Sequence, residues 1–335
     1  MAIRPKIVDI LIIGGGPAGL TAALGCARTR CLALLFDSGS YRNEGITHMH
    51  SVPSRDHIDP VEFRRIAREQ IESRYDSVWF EKATIVSAVK KMIGEKQDYE
   101  GFELKDSEGR EFWGKKLIVA TGSRDVFPDI PGFAENWPSH MYCLACDGYE
   151  QRNSPIGVLE FNSPMAVHFA SMAFAFDSRV TIFSNGPVAD TPPIQHALKV
   201  AYSLGAKLDS RKIKRLINNG PTHTEGVTIE FESGGPVTLG FLVNKPPTVN
   251  RAQDLVEMLG LETGPPEMGG NVVVKDMFNE TSVKGVFAAG DTMVLMKQVT
   301  VAAAEGLKAL AGAGKQIGEE NMAEALRKYE AANGA

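Results

Sequence analysis

Apolar residues in this chain fall mostly into short runs, several of them ending at glycine, aspartate or serine. The first, Ile7–Ile13, runs straight into Gly14, and the second, residues 32–36, ends at Asp37. Residues 117–120, Ile156–Leu159, Val180–Phe183 and residues 285–289 repeat the pattern. Such runs read as strands buried on both faces of a parallel sheet. Between the first two, from Pro17 to about Arg28, the pattern becomes helical, so the first forty residues predict a βαβ unit. A loop with His48, Met49, His50 and Pro53 follows. Asp59-Pro60 then starts a helix, with aspartate as N-cap and proline at the first helical position. Phe63, Ile66, Ala67 and Ile71 share one face of it.

Residues 84–113 predict a small antiparallel meander with turns at Gly94 and at 106–109. Residues 127–138, with Pro128, Pro131 and Gly132, read as a linker. A second βαβ unit follows, with a helix at 165–176 between Ile156–Leu159 and Val180–Phe183. Strand-rich sequence then runs to Val243, and Lys245-Pro246-Pro247 reads as a second linker. The chain closes with a strand at 285–289 and a final alanine-rich helix. Two linkers around one insert predict a discontinuous outer domain, 1–125 plus 245–335, and an inserted domain, 126–244. The fold class is α/β, with two Rossmann-like dinucleotide-binding domains, the second inserted in the first.

Composition adds limits to this picture. A length of 335 residues supplies two cores, and shares of 43% hydrophobic, 23% charged and 8% aromatic, close to the globular average, set disorder aside. The net charge of −5 argues against a broad basic surface for nucleic acid or anionic membrane. The basic-then-apolar opening could imitate a signal peptide, but Asp9 interrupts it and no A-x-A site follows. No apolar stretch has the length of a membrane span, so a cytoplasmic location is expected. Four cysteines, Cys26, Cys31, Cys143 and Cys146, are too few for a disulfide scaffold in a chain this long.

Gly14, Gly16 and Gly19 form a G-x-G-x-x-G pattern after a strand and at the start of a helix. The first glycine permits the turn, the second lets backbone approach a pyrophosphate, and the third permits close helix–strand packing. The helix N-terminus offers free N–H groups and a positive dipole to phosphate. Asp37, at the end of the second strand, is placed to accept hydrogen bonds from ribose hydroxyls. The pattern alone does not separate FAD from NAD.

Cys143-Leu-Ala-Cys146-Asp147-Gly-Tyr-Glu150 carries the other chemistry. Thiols separated by two residues can close a small disulfide ring, and such motifs lower one thiol's pKa. Asp147 can take or give the proton that thiol exchange must move. Cys26 and Cys31 lie on and just after the first helix, where packing is their default role, and no Cys/His pair completes a zinc set. No metal is expected.

GGGPAG, ATG, CLACDGYE and GVFAAGD, in this order, resemble the low-molecular-weight thioredoxin reductase family over essentially the whole chain. The resemblance implies an FAD domain, an inserted NADPH-type domain with the cysteine pair, and a homodimer. It implies FAD contacts from Gly14, Gly16, Pro17, Ala18, Gly19, Asp37, Ser38, Arg42, Thr121, Gly122, Gly290 and Asp291, the last on the ribityl chain. Lys297, Gln298 and Val299 would open the last helix beneath the flavin ring, and Ser51 stands where the family usually has asparagine near the flavin.

The second nucleotide loop departs from the family. It reads IGVLEFNSPMAVHF, with Glu160, Phe161 and Asn162 where glycines are needed, and no arginine pair follows Val180–Phe183. The NADPH site therefore reads as lost. FDSGSYRN (36–43), HMHSVPSRDH (48–57), CLACDGYE and MKQVTVA (296–302) resemble the gliotoxin oxidoreductase branch. Its members are FAD dithiol oxidases that close the disulfide of epidithiodioxopiperazines and pass electrons to O2, releasing H2O2. The catalytic set implied is Cys143, Cys146 and Asp147, with His48 and His50 lining a small-molecule dithiol site. An NADPH-dependent thioredoxin reductase and a non-catalytic flavoprotein that sequesters a dithiol remain the alternatives.

Overall fold

The computed structural model describes residues 4–137, 139–141, 143–222 and 224–334. In its first part β1 (Ile7–Ile13), α1 (Pro17–Thr29) and β2 (Ala33–Asp37) form the expected βαβ unit. There follow α2 (Pro60–Glu72), β3 (Val78–Lys82), β4 (Ile85–Ile93), β5 (Tyr99–Asp106), β6 (Glu111–Val119) and β7 (Ser123–Asp125). The middle holds α3 (Phe133–Asn136), α4 (Leu144–Asp147), β8 (Ile156–Leu159), α5 (Ala166–Ala173), β9 (Val180–Phe183) and α6 (Pro192–Ser203). Next come β10 (Lys207–Asp209), β11 (Ile213–Asn218), β12 (Val227–Phe231), β13 (Val237–Leu239), β14 (Phe241–Val243) and β15 (Thr248–Asn250). The last elements are α7 (Gln253–Met258), β16 (Val286–Ala288) and α8 (Val299–Asn333).

The largest sheet has the order β3-β2-β1-β6-β5-β4, with β16 also paired to β6. Its centre is apolar on both faces: Ile10, Ile12 and Ile118 point to one core, and Leu11, Leu117 and Val119 to the other. The first core is closed by α1 and α8, whose small residues let the helices touch. A Cβ on Gly25 would lie 2.0 Å from Leu310 Cδ2, and one on Gly306 would lie 2.0 Å from the Ala18 carbonyl oxygen. Lys116, buried under this sheet, is ion-paired with Glu320 of α8. Asp59 caps α2 as its sequence predicts, accepting from the Val61 and Glu62 N–H groups, an interaction typically worth ~1 kcal/mol.

A second, parallel sheet has the order β10-β9-β8-β14. One of its faces packs against Ala166, Ala170, Ile194, Ala197 and Leu198 of α5 and α6. The other face meets the three-stranded sheet β11-β12-β13 through Phe183, Ile213, Ile229 and Phe231. The chain passes to and from this region side by side. There β7 pairs antiparallel with β15, Asp125 opposite Thr248 and Ser123 opposite Asn250.

Several local expectations need correction. The meander's last strand and the run at 117–120 are one strand, β6, antiparallel to β5 at one end and parallel to β1 and β16 along the rest. The region after Val180–Phe183 is not all strand. Pro192–Ser203 is helical, because Ile194, Ala197, Leu198 and Ala201 recur at helical spacing and are buried. The first linker is not free chain: Ile130 and Phe133 enter a core, and its last residue, Pro138, lies outside the described residues. The helix expected at 165–176 is shorter, Ala166–Ala173. Among the described residues, no helix is long and apolar enough to cross a membrane.

Candidate functional site

A cleft of about 410 Å³ opens where β1, β2 and β6 end and α1 and α8 begin. It is lined by Gly14, Gly16, Pro17, Ala18, Asp37, Ser38, Arg42, Thr121, Gly122, Asp291, Lys297, Gln298 and Val299, all anticipated from sequence. Gly14 has φ +121°, and a Cβ there would lie 2.2 Å from the Ala120 carbonyl oxygen. Gly16 has open space in front of it, so bare backbone faces the cleft. It is the N-cap of α1 and supplies no side-chain cap, which leaves the helix N–H groups for a ligand.

Two anticipated glycines build the wall rather than line it. A Cβ on Gly19 would lie 1.9 Å from the Gly14 carbonyl oxygen, and one on Gly290 would lie 2.9 Å from Ala18 Cβ. Ser51 does not line the cleft. It is exposed in a turn at φ 62°, its N–H donating to Asp56 Oδ1 at 2.7 Å.

Asp37 accepts from the Gly39 N–H at 2.9 Å and from the Tyr41 hydroxyl at 2.6 Å. Burial and the Asp37 carboxylate both raise the Tyr41 phenol pKa, and the Arg64 guanidinium lies 3.7 Å over its ring. Arg42 donates to Asp125 Oδ1 at 2.8 Å and lies 3.9 Å from Asp291 Oδ2. Burial raises the Asp291 carboxyl, against the pull of Arg42 and Lys297. Tyr41 and Arg251, which donates to Ser40 Oγ at 2.7 Å, were not singled out from sequence. Arg251 arrives from the turn after β15, more than two hundred residues later, and no local pattern marks it.

The cleft suits a flavin dinucleotide on its own chemistry. Open glycine backbone and an uncapped helix would face a pyrophosphate, and Asp37 at the end of β2 would face a ribose. Thr121 Oγ1 is buried in the wall without a hydrogen-bond partner among the described residues, as a hydroxyl awaiting a ligand would be.

The cysteine pair stands at the edge of this cleft. Cys143 is the N-cap of α4, and the N–H groups of Cys146 and Asp147 donate to its carbonyl at 3.0 Å. Gln298, which lines the cleft, donates from Nε2 to Cys146 Sγ at 3.6 Å. The Cys143 pKa is lowered to about 7, chiefly because the Cys146 thiol donates to it, with help from the Cys146 and Ala145 N–H groups and against burial. Cys146 is pushed up by the same hydrogen bond and by burial, while Gln298 opposes. Burial raises Asp147 to about 6, and His50 works against it.

The histidine loop supplies that partner. Met49 and Ile58 form an antiparallel bridge, and the His57 N–H donates to the Met49 carbonyl at 2.9 Å, which turns His50 and His57 toward each other. His50 Nδ1 lies 3.1 Å from Asp147 Oδ1, and His50 Nε2 lies 2.8 Å from His57 Nδ1. His48 stands apart from the redox motif, stacked on the His57 ring at 4.3 Å and joined to Thr47. Of the two histidines anticipated, the structure brings His50 to the redox motif; His57 went unremarked.

The second nucleotide loop differs from the first as its sequence suggests. Three residues, Gly14 to Gly16, join β1 to α1, whereas six, Glu160 to Met165, join β8 to α5. Glu160 sits at the strand end in a left-handed conformation, φ 61°, its carboxyl raised by burial. Phe161 does not obstruct the loop as expected; it turns inward into the core beside Val158 and Ala166. Beyond β9, Asn185 accepts from the Ile213 N–H and from Lys212 Nζ, so one lysine from a distant loop stands where an arginine pair was sought.

The sequence pattern of the pyridine nucleotide-disulphide oxidoreductase family matches residues 8–306. The chain is 44% identical over 306 residues to thioredoxin reductase tcpT of Claviceps purpurea, covering 90% of this chain and 91% of that one. It is 36% identical over 334 residues to thioredoxin reductase sirT of Leptosphaeria maculans, covering 96% and 98%. The solved structure of HlmI matches over the whole of both chains, with a TM-score of 0.85 and 29% identity. An oxidoreductase from Agrobacterium tumefaciens matches with a TM-score of 0.81 and 31% identity, covering 92% of this chain and 98% of that one. These matches bear out the thioredoxin reductase-like resemblance and the α/β fold read from the motifs.

Proposed function

The chain belongs to the pyridine nucleotide-disulphide oxidoreductase family, and from that premise we propose that it is an FAD-dependent dithiol oxidase. Its substrate would be a small-molecule dithiol of the epidithiodioxopiperazine kind, closed to an intramolecular disulfide. The protein is an oxidoreductase with FAD as cofactor. One contrast supports the oxidase reading: a flavin cleft joined to Cys146 through Gln298 accompanies a second nucleotide loop occupied by Glu160.

In this reading the resting protein holds a Cys143–Cys146 disulfide. A substrate thiolate attacks Cys143 Sγ, forming a mixed disulfide and releasing Cys146 as a thiolate, with the Gln298 amide beside it. The second substrate thiol, its proton passing to Asp147, displaces Cys143, and the product leaves with a new internal disulfide. Holding both thiols in one molecule makes that closure unimolecular, an advantage of up to ~7–11 kcal/mol in well-oriented systems. Held against Gly14, Gly16 and Asp291, FAD would supply the two-electron acceptor for the reduced cysteine pair, with O2 as the final oxidant and H2O2 as its product.

The name thioredoxin reductase on the relatives, with Lys212 beside Asn185, favours a second reading, an NADPH-dependent reductase. Anaerobic mixing separates the two. A small dithiol is expected to bleach the flavin while NADPH leaves it yellow; rapid bleaching by NADPH would overturn the oxidase reading.

A further inference from the structure

We propose that His50, His57 and Glu150 form a binding site for a divalent transition metal of the zinc class. Each offers one ligand atom, and the three atoms lie within 4.8 Å of one another. His50 Nε2 faces His57 Nδ1 at 2.8 Å, and Glu150 Oε1 lies 3.7 Å from the same His50 nitrogen. Two imidazole nitrogens that close need a proton or a cation between them. Ligand atoms on a tetrahedral zinc ion, about 2.0–2.1 Å from the metal, stand roughly 3.3 Å apart. Small side-chain rotations therefore turn this cluster into a coordination shell.

The surroundings are those of a metal-binding imidazole. The other nitrogen of His50 faces Asp147 Oδ1 at 3.1 Å. A carboxylate on the far ring nitrogen fixes the tautomer, directs the lone pair of Nε2 outward and raises its basicity. His57 is positioned from two sides, by its N–H on the Met49 carbonyl and by the His48 ring stacked on it. It is exposed, so an ion enters from solvent, and three protein ligands leave a fourth position open. Two imidazoles and one carboxylate suit zinc better than calcium or magnesium. The ligands come from two segments more than ninety residues apart, which is why the cysteine spacing alone pointed to no metal.

The test uses the flavin-loaded protein with its cysteine pair oxidised, titrated with Zn2+ alone against a chromophoric chelator. One ion per chain is expected to bind. Binding should be lost in His57→Ala and in Glu150→Gln, each checked for unchanged flavin absorbance and circular dichroism. Asp147→Asn should weaken it by about 10–100-fold. A Cys143→Ser/Cys146→Ser double variant should bind as the parent does. Failure to bind one ion, binding that survives both ligand substitutions, or binding lost with the cysteines would overturn the site. None of these outcomes depends on whether the protein is an oxidase or a reductase.

Discussion

Gln298 Nε2 lies 3.6 Å from Cys146 Sγ, joining residues 152 positions apart. One end of that contact lines the cleft at the start of α8, and the other is the second thiol of the redox motif. An amide donating to sulfur favours the thiolate over the thiol. Hydrogen bonds to charged groups are worth about 1.5–3 kcal/mol. Gln298→Leu should therefore slow anaerobic flavin reduction by a small dithiol by about 10–100-fold, read by stopped-flow bleaching at 450 nm (roughly the flavin maximum). An unchanged rate would remove Gln298 from the electron path.

Cys146→Ser should abolish flavin bleaching by the dithiol, because no thiol then faces Gln298. Normal bleaching in that variant would reassign the inner thiol to Cys143.

The reduced pair should show its first ionisation near neutral pH. Cys143 is lowered from 9.0 to about 7, mainly by the Cys146 thiol. Its alkylation rate should rise through pH 7 as the thiolate forms, and Cys146→Ala should move that midpoint upward. A folded-state pKa below the unfolded value adds stability to the reduced protein above the unfolded pKa, and this is lost as pH falls through about 7. A single alkylation midpoint near 9 in the parent would contradict the arrangement.

Packing beneath the cleft should control cofactor retention. A Cβ on Gly306 would press on the Ala18 backbone, which no rotamer change relieves, and Ala18 lines the cleft. Gly306→Ala should lower both flavin content, measured as the 450/280 nm absorbance ratio (about these wavelengths), and the thermal midpoint. Leu310→Ala opens a cavity opposite Gly25 and should cost ~2–5 kcal/mol of stability. Full flavin occupancy in Gly306→Ala would show that α8 can shift without disturbing the cleft.

Much of this was legible in the chain because its cause is local. Gly14 needs a left-handed turn, Asp59-Pro60 starts a helix, and the two-residue spacing of Cys143 and Cys146 keeps the pair together, whatever surrounds them. The α6 spacing of Ile194, Ala197, Leu198 and Ala201 was also there to read, behind two prolines that open the helix. The closure of His50 onto Asp147, of Gln298 onto Cys146 and of Arg251 into the cleft was not. Each joins distant segments through packing of whole sheets, and a single sequence carries no periodicity for such meetings. Phe161 failed for a related reason: its direction depends on a core that the loop sequence does not describe.

The pairing of β7 with β15 sets Asp125 directly opposite Thr248. Paired residues in an antiparallel ladder stand about 4.5–5.5 Å apart at Cα. A gene fusing position 125 to position 248 through a two- or three-residue turn would thus splice the large sheet's chain without stretching it. In construction terms the seam is a splice point, and a chain lacking the intervening 122 residues would also lose the Gln298–Cys146 and His50–Asp147 contacts.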